Sequence, residues 1–297
     1  MSAPRRVVAL GFFDGVHIGH AALLRTAAER AAERAALPAA VTFDIPPETR
    51  ITGRPLPLLT QIGDRAVLMR RLGISDVIVL PFDEPMMKMP WNAFLPDLLI
   101  RDHGAVGIVA GHDFRFGHRS EGHAGNLSAQ CAALGLTCDI VARVEYEGIT
   151  VSATHIRRLV AQGEVERAAL FLGRPYSLTL PIERGRGLGR KLGFPTINMP
   201  VPALLQAPAR GVYFSRVLHN GQSRPAVTNV GVRPTVDADG GLVAESHLFG
   251  YSGGPHDEPA SVQLLRFARP ERRFDNLNDL RDQVVADIAQ AQAFHRV

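Results

Sequence analysis

Apolar and polar positions in the first part of the chain follow an alternation of strands and helices. Short apolar runs typical of buried strands are separated by longer stretches with helical spacing. The predicted strands span residues 7–11, 40–43, 76–81, 106–110 and 136–144, and the predicted helices span 19–36, 62–72, 91–103, 154–162 and 165–172. This alternation favours an α/β, Rossmann-like domain, in which helices cover both faces of a parallel sheet.

The pattern changes after Gly173-Arg174-Pro175. Helical spacing gives way to short strand-like runs separated by Gly, Pro and Asn. These runs span 176–182, 212–217, 226–230, 242–249 and 261–267, and a last helical pattern spans 276–293. Such runs favour a small antiparallel β-barrel, here followed by a C-terminal helix. We therefore predict two domains, 1–173 and 174–297.

Composition agrees with two globular domains and narrows the classes of ligand. Of 297 residues, 46% are hydrophobic and 21% are charged. Two cysteines, Cys131 and Cys138, exclude a disulfide framework and are too few for a structural zinc site by themselves. Without a signal peptide or a long apolar run, we expect a cytoplasmic protein that does not enter a membrane. The net charge of +4 comes from scattered basic residues, which suits a small anionic ligand better than nucleic acid. The sequence predicts no oligomeric state.

The segment GFFDGVHIGH at 11–20 leads from a predicted strand through a glycine-rich turn into a helix. Helix N-termini bind phosphate, because their unpaired N–H groups and positive dipole end face the ligand. His17 and His20 share one helix face and can donate hydrogen bonds to a triphosphate. A zinc pair or two surface histidines are the alternatives, although no further ligands stand at metal spacing. The predicted ATP loop comprises Gly11, Phe12, Asp14, Gly15, His17 and His20.

Two further segments fit a nucleotide site at the same sheet edge. GHDFRFG at 111–117 follows a predicted strand, where open parallel sheets bind ligands. There Phe114 or Phe116 can stack on a planar ring, and Asp113 can accept a hydrogen bond from a base or ribose. VSATHIR at 151–157 opens a predicted helix, and its Ser152, Thr154 and Arg157 predict a second anion pocket. A core-facing loop and an ordinary capped helix are the alternatives.

These motifs, together with VTFD at 41–44, resemble the adenylyltransferase half of bacterial bifunctional riboflavin kinase/FAD synthetases in order and spacing. The resemblance implies a parallel-sheet, Rossmann-like nucleotidylyltransferase domain. It further implies that the FMN phosphate attacks the α-phosphorus of ATP and that pyrophosphate leaves, with Mg²⁺ assisting. The chain departs from the family at Phe12, His112, Ala153 and His155, where relatives usually carry Asn, Glu, Ser and Arg.

A second glycine-rich segment, GRGLGRKLGFPTIN, spans 185–198. We expect no helix here, because Pro195 and Pro200 follow, and a dinucleotide fingerprint is therefore excluded. In an extended stretch Thr196 and Asn198 point to one face, and their oxygens suit Mg²⁺ beside ATP phosphates. A turn-rich barrel connection is the alternative. The predicted phosphate loop comprises Gly185, Gly187, Gly189, Arg190, Lys191, Gly193, Thr196 and Asn198.

Glu245 lies in the apolar run 242–249, where a carboxylate is unexpected. It can take the proton from a primary hydroxyl that attacks a γ-phosphate, or it can simply face solvent. GRKLGFPTIN, GVY at 211–213, NVGVRPT at 229–235 and the Glu-x-His-Leu at Glu245 resemble the riboflavin kinase half of the same family. The resemblance implies a β-barrel kinase domain, with Thr196 and Asn198 holding the metal and Glu245 as the base. Departures are Leu180, where relatives carry glycine, and the segment 250–256.

The combined expectation is a transferase of FAD biosynthesis that uses riboflavin, FMN and ATP. One alternative keeps the fold but assigns it an inactive kinase half, a modified flavin or another phosphorylated substrate. Another is a non-catalytic flavin-binding or regulatory protein. The candidate base and both histidines argue against that last reading, because a binding protein needs no base.

Overall fold

A computed structural model describes residues 3–185, 187–232, 241–251 and 258–296, and it leaves the side chains of Leu188 and Lys191 undescribed. Its contacts divide the chain into two compact units, Met1–Ala153 and Thr154–Val297.

The first unit is built on a five-stranded parallel sheet with the strand order β3-β2-β1-β4-β7. Two short antiparallel hairpins, β5 with β6 and β8 with β9, stand outside it. The strands are β1 (Arg6–Leu10), β2 (Leu37–Phe43), β3 (Asp76–Leu80), β4 (Ala105–Gly111), β5 (Arg115–Phe116), β6 (Gly122–His123), β7 (Thr137–Val141), β8 (Glu145–Tyr146) and β9 (Ile149–Thr150). The helices are α1 (Ile18–Glu33), α2 (Pro47–Thr52), α3 (Ile62–Arg71), α4 (Glu84–Lys88), α5 (Trp91–Ala93) and α6 (Ala124–Ala133).

Helices cover both faces of this sheet, as the apolar runs predicted. Val8 and Leu10 of β1 pack into one core with Leu99. Val7 and Ala9, which point to the opposite face, pack with α1 in a second core. All five predicted strands are present. The predicted helix 91–103 differs in detail, since α5 continues as π-helical turns over Phe94–Asp102. The helices α2, α4 and α6 were not predicted.

The second unit contains a six-stranded antiparallel sheet with the order β10-β15-β12-β13-β14-β11. A single antiparallel bridge between Glu183 and Asn198 joins the segment after β10 to β11 at the other edge, which gives the predicted barrel-like shape. Its elements are α7 (Ala153–Ala161), α8 (Val165–Leu172), β10 (Tyr176–Leu180), α9 (Leu188–Lys191), β11 (Ile197–Pro200), β12 (Gly211–His219), β13 (Gln222–Val232), β14 (Leu242–Leu248), β15 (Ala260–Pro270) and α10 (Leu277–His295).

The expectation that no helix forms in the second glycine-rich segment is wrong, because α9 forms one turn within it. Proline lacks the N–H that a helix interior needs, and it disfavours helical geometry in the residue before it. Pro195 lies beyond the end of α9, so this turn is unaffected. The strand β11 was likewise not predicted as a separate strand.

The helices α7 and α8 group with the barrel by their contacts. The buried face of α8 includes Val165 and Phe171, and Arg266 of β15 donates to Glu166 Oε1 at 3.0 Å. The predicted domain boundary at 173/174 remains a prediction about where the chain can be divided.

Candidate active sites

A cavity of about 590 Å³ opens at the carboxyl ends of β1, β4 and β7, next to Gly11, Gly111 and Val141. The sheet extends from β1 towards β2 on one side and towards β4 on the other. This is the switch point at which open parallel sheets bind ligands. We call it the histidine cavity, because His17 and His20 both line it.

His17 is the N-cap of α1, and its Nδ1 accepts a hydrogen bond from the backbone N–H of His20 at 3.1 Å. The two imidazole rings stack with centroids 3.6 Å apart and planes 14° apart. Because Nδ1 accepts, neutral His17 carries its proton on Nε2, which can act as a donor. Gly19 leaves room for the ring, since a Cβ there would lie 3.2 Å from His17 Nδ1.

The turn that leads to His17 has unusual backbone geometry. Phe13 and Val16 have positive φ angles of 58° and 40°, and Gly15 has 74°, although residues with a side chain rarely adopt this region. The buried carboxylate of Asp14 accepts hydrogen bonds from the backbone N–H groups of Leu59 at 2.9 Å and Thr60 at 3.1 Å. Asp14 therefore stabilises the turn by bonding it to the segment of Leu59 and Thr60, and it does not line the histidine cavity.

Arg65 of α3 is a buried residue that the sequence did not single out. Its guanidinium lies 4.2 Å from the Phe12 ring centroid, and Nη1 donates to the Phe12 carbonyl at 2.9 Å. Burial lowers the Arg65 pKa, and the nearby Asp14 carboxylate partly offsets this. The available signal was its position four residues before buried Met69, on the inner face of α3.

Only some of the other residues predicted for the nucleotide site line this cavity. Thr154 and Arg157 belong to the second unit, where Arg157 Nη2 donates to Thr154 Oγ1 at 3.2 Å. Phe12 and Gly15 lie in the turn and are not among the lining residues. The predicted residues that line the cavity are Gly11, His17, His20, Asp113, Phe114 and Ser152. Arg143 and Thr150 also line it and were not predicted. His112 lines it as well, although the sequence analysis named it only as a departure from the family.

A second cavity in the first unit, of about 420 Å³, has aromatic and aliphatic walls and a basic rim. We call it the aromatic cavity. Phe114 lines both this cavity and the histidine cavity. Phe116 stacks on Phe114 with ring centroids 5.6 Å apart. The apolar walls include Phe43, Ile51, Phe82, Met86, Phe94, Phe114 and Phe116, and the rim carries Arg50, Lys88, Arg115, His118 and Arg119.

The barrel has its own cavity of about 270 Å³, which is bounded by the sheet and by α10. We call it the barrel cavity. Glu245 of β14 stands opposite Asn198 of β11 and opposite Asn229 of β13, so the three residues form one row across three strands. Glu245 is exposed and lines the cavity together with Thr196. The Glu245 carboxylate is therefore not buried. Its position in an apolar strand alone is then no evidence for a functional role, because an exposed carboxylate needs no buried partner.

The glycine-rich segment lies against the candidate metal ligands. A Cβ on Gly185 would collide with the side-chain amide of Asn198, and a Cβ on Gly189 would lie 3.2 Å from Thr196 Oγ1. Both glycines therefore allow the backbone of this segment to approach Asn198 and Thr196 more closely than a residue with a side chain would. Gly187, Arg190 and Gly193 are exposed, whereas the Lys191 side chain, Arg186 and residues 252–256 of the departing segment are outside the described residues.

The donor set beside Glu245 fits Mg²⁺ that is held partly by substrate. Within the described ranges, no group of three His, Cys, Asp or Glu side chains could hold a metal ion. Thr196 and Asn198 offer one hydroxyl and one amide oxygen. Mg²⁺ usually takes few protein ligands and completes its octahedron with phosphate oxygens and water.

The wall formed by α10 contributes Leu280 and Val284 to the barrel cavity. A bidentate ion pair holds this helix to β15, with Arg269 Nη2 to Asp287 Oδ2 at 2.6 Å and Nε to Oδ1 at 2.9 Å. The Asp287 side chain is only 8% exposed, so this pair is shielded from water. The apolar helix face is thereby kept opposite the row that contains Glu245.

The chain is similar to known proteins over nearly its whole length. A family model described as FAD synthetase matches residues 1–155, and one described as riboflavin kinase matches residues 172–295. A bifunctional riboflavin kinase/FMN adenylyltransferase of Pseudomonas fluorescens is 33% identical, over 97% of this chain and 92% of the relative. Proteins with the same description from Listeria monocytogenes and Escherichia coli K12 are each 31% identical, with the same coverage.

A crystal structure from Streptococcus pneumoniae, described as a macrolide-efflux protein, superposes with a TM-score of 0.87. It is 27% identical and is matched over 98% of this chain and 95% of that chain, so the folds of both halves agree. Among the described residues of our chain, no helix is long and apolar enough to cross a membrane. The chain belongs to the family of bifunctional riboflavin kinase/FMN adenylyltransferases.

Proposed function

We propose that the two activities of this transferase of FAD biosynthesis are divided between the cavities of its two units. The histidine and aromatic cavities adenylylate FMN, and the barrel cavity phosphorylates riboflavin. The observation that carries this assignment is Phe114, which lines both the histidine cavity and the aromatic cavity. The proposed phosphate-binding site and the proposed site for the planar ring are therefore neighbours, as a reaction between ATP and FMN requires.

For adenylylation, the triphosphate of ATP binds at the N-terminus of α1, where backbone N–H groups and the helix dipole favour anions. The isoalloxazine ring of FMN occupies the aromatic cavity, and its phosphate points towards the histidine cavity. An oxygen of that phosphate bonds to the α-phosphorus, and the bond from the α-phosphorus to pyrophosphate breaks. His17, through Nε2–H, and His20 donate to the phosphate oxygens and stabilise the charge that develops on pyrophosphate.

For phosphorylation, the riboflavin ring lies against the apolar wall of Leu280 and Val284, and its 5′-hydroxyl faces Glu245. Glu245 accepts the hydroxyl proton as the oxygen bonds to the γ-phosphorus of ATP, and ADP leaves. Thr196 and Asn198 would hold Mg²⁺ together with the phosphates. When bound, Mg²⁺ supplies neutralisation of the phosphate charge.

Purified protein tests this assignment with two incubations, riboflavin with MgATP and FMN with MgATP, followed by chromatography of the products. We expect FMN and then FAD from the first incubation, and FAD with pyrophosphate from the second. Formation of FAD from FMN without any FMN from riboflavin would contradict the kinase assignment.

We further propose that the enzyme acts in the cytoplasm, where ATP is available and where its two unpaired cysteines remain reduced.

A further inference from the structure

His247 of β14 donates a hydrogen bond to the chain just before the candidate metal ligands. Its Nδ1 lies 2.9 Å from the carbonyl oxygen of Pro195. A carbonyl can only accept, so Nδ1 carries the proton. In the neutral ring, the proton is therefore on Nδ1 and Nε2 is unprotonated.

This hydrogen bond replaces a missing part of the β-ladder. The pairing of β11 with β14 covers Ile197 to Pro200 and ends there. Pro195 has no N–H and cannot extend the ladder as a donor. The His247 side chain instead reaches from β14 to the Pro195 carbonyl, so that Thr196 is held between this bond and the first ladder pair.

The ring of His247 is itself held in place by neighbours. Phe194 lies edge-on at 6.1 Å and Phe249 at 5.7 Å between ring centroids. His247 follows Glu245 by two residues on the same strand, so both side chains point to the same face, and both line the barrel cavity. One strand therefore carries the candidate base and the side chain that fixes the segment of the candidate metal ligands.

We propose that His247 is a positioning residue for riboflavin phosphorylation, which sets Thr196, and through it the metal and γ-phosphate, relative to Glu245. This inference rests on the proposed assignment of the kinase reaction to the barrel cavity. The bond from Nδ1–H is needed, and the basicity of Nε2 is not. Another side chain that donates a hydrogen bond from the same position should therefore support the reaction in place of His247.

The test compares His247→Asn with His247→Leu in the full-length protein. An Asn amide nitrogen lies near the place of histidine Nδ1 and can donate to Pro195, whereas Leu fills the space without a donor. We expect His247→Leu to lower kcat for FMN formation by about 10²-fold, the cost of roughly 1 Å of misplacement, and to raise the Mg²⁺ concentration at half-maximal rate. His247→Asn should stay within about threefold of wild type in both quantities, since it restores the donor. FAD formation from supplied FMN serves as the internal control and should be unchanged in both variants.

A second measurement does not depend on turnover. In protein labelled with ¹⁵N-histidine, the imidazole signals that disappear in His247→Asn identify His247, and they should show a proton on Nδ1. A ring without a proton on Nδ1, or an Asn variant as slow as the Leu variant, would overturn the positioning role. A Leu variant with wild-type kcat and Mg²⁺ dependence would do so as well. Wild-type protein that makes no FMN at all would instead refute the proposed kinase function, and this inference with it.

Discussion

Glu245 and Asn198 stand directly opposite each other on β14 and β11, although they are far apart in the sequence. The register brings the candidate base next to a candidate metal ligand on the same face of the barrel. A carboxylate at this position can reach a hydroxyl that is bound beside metal-held phosphates.

Glu245→Gln should lower the rate of FMN formation by roughly 10²–10⁴-fold, because Gln keeps the size but cannot accept the proton. Riboflavin affinity, measured by fluorescence quenching, should change little, since the neutral ligand does not use the charge. FAD formation from FMN is the control and should remain at the wild-type rate. If Glu245→Gln phosphorylates riboflavin normally, Glu245 is only a surface residue.

His17 caps α1, and we propose that it also donates a hydrogen bond to phosphate; substitutions can separate these two roles. His17→Ala removes the Nε2–H donor and also the cap on the His20 N–H, whereas His17→Asn removes the donor but keeps a capping oxygen. Both variants should form FAD at least 10-fold more slowly, because a hydrogen bond to a charged group contributes about 1.5–3 kcal/mol. In thermal or urea unfolding, only His17→Ala should lose about 1 kcal/mol of stability. Equal stability losses in the two variants would contradict the capping role, and an unchanged rate would contradict the donor role.

Asp14 should matter through the shape of the turn. Asp14→Asn replaces the oxygen that lies 3.1 Å from the Leu59 N–H with an amide NH₂, and the lost acceptor should cost about 1–3 kcal/mol of stability. The expected kinetic result is a higher KM for ATP in FAD formation, with FMN formation unaffected. Asp113→Asn is the matched control, because the Asp113 side chain is 82% exposed and its loss should leave unfolding unchanged. A melting curve of Asp14→Asn that coincides with wild type would contradict this role.

The domain boundary can be tested with two fragments, 154–297 and 174–297. Both should fold as barrels, because the sheet and α10 lie entirely within them. Fragment 154–297 should be the more stable, since it keeps the buried apolar face of α8 against the barrel. Urea unfolding followed by circular dichroism measures the difference. A fragment 174–297 without a cooperative transition would refute the boundary at 173/174.

Local sequence patterns correctly predicted the structural features that are determined by residues close together in the chain. Strand and helix spacing gave the sheet, the barrel and α10, and the glycine-rich turn located His17 and His20 at the cavity. The orientation of the Asp14 side chain could not be predicted from the sequence, because a carboxylate in such a turn can face either a ligand or the backbone of another segment. Its partners, Leu59 and Thr60, belong to a separate segment without any motif.

Features that depend on long-range packing were also missed. The walls of the aromatic cavity come from segments as distant as Phe43, Phe82 and Phe116, and none of these shares a pattern with the others. Arg65 is buried because three carbonyl or hydroxyl oxygens face it, from Phe12, Thr42 and Thr60. The opposition of Glu245 and Asn198 depends on strand register, which a single sequence does not reveal.

The central claim, that the cavities of the first unit perform one reaction and the barrel cavity performs the other, is tested most directly by one time course of products from riboflavin and MgATP. Wild-type protein, His17→Asn and Glu245→Gln are compared, and each variant is also supplied with FMN. We predict that His17→Asn accumulates FMN with little FAD, and that Glu245→Gln forms almost no FMN but converts supplied FMN to FAD at the wild-type rate. Loss of both reactions in either well-folded variant would contradict the division of the chemistry between the cavities of the two units.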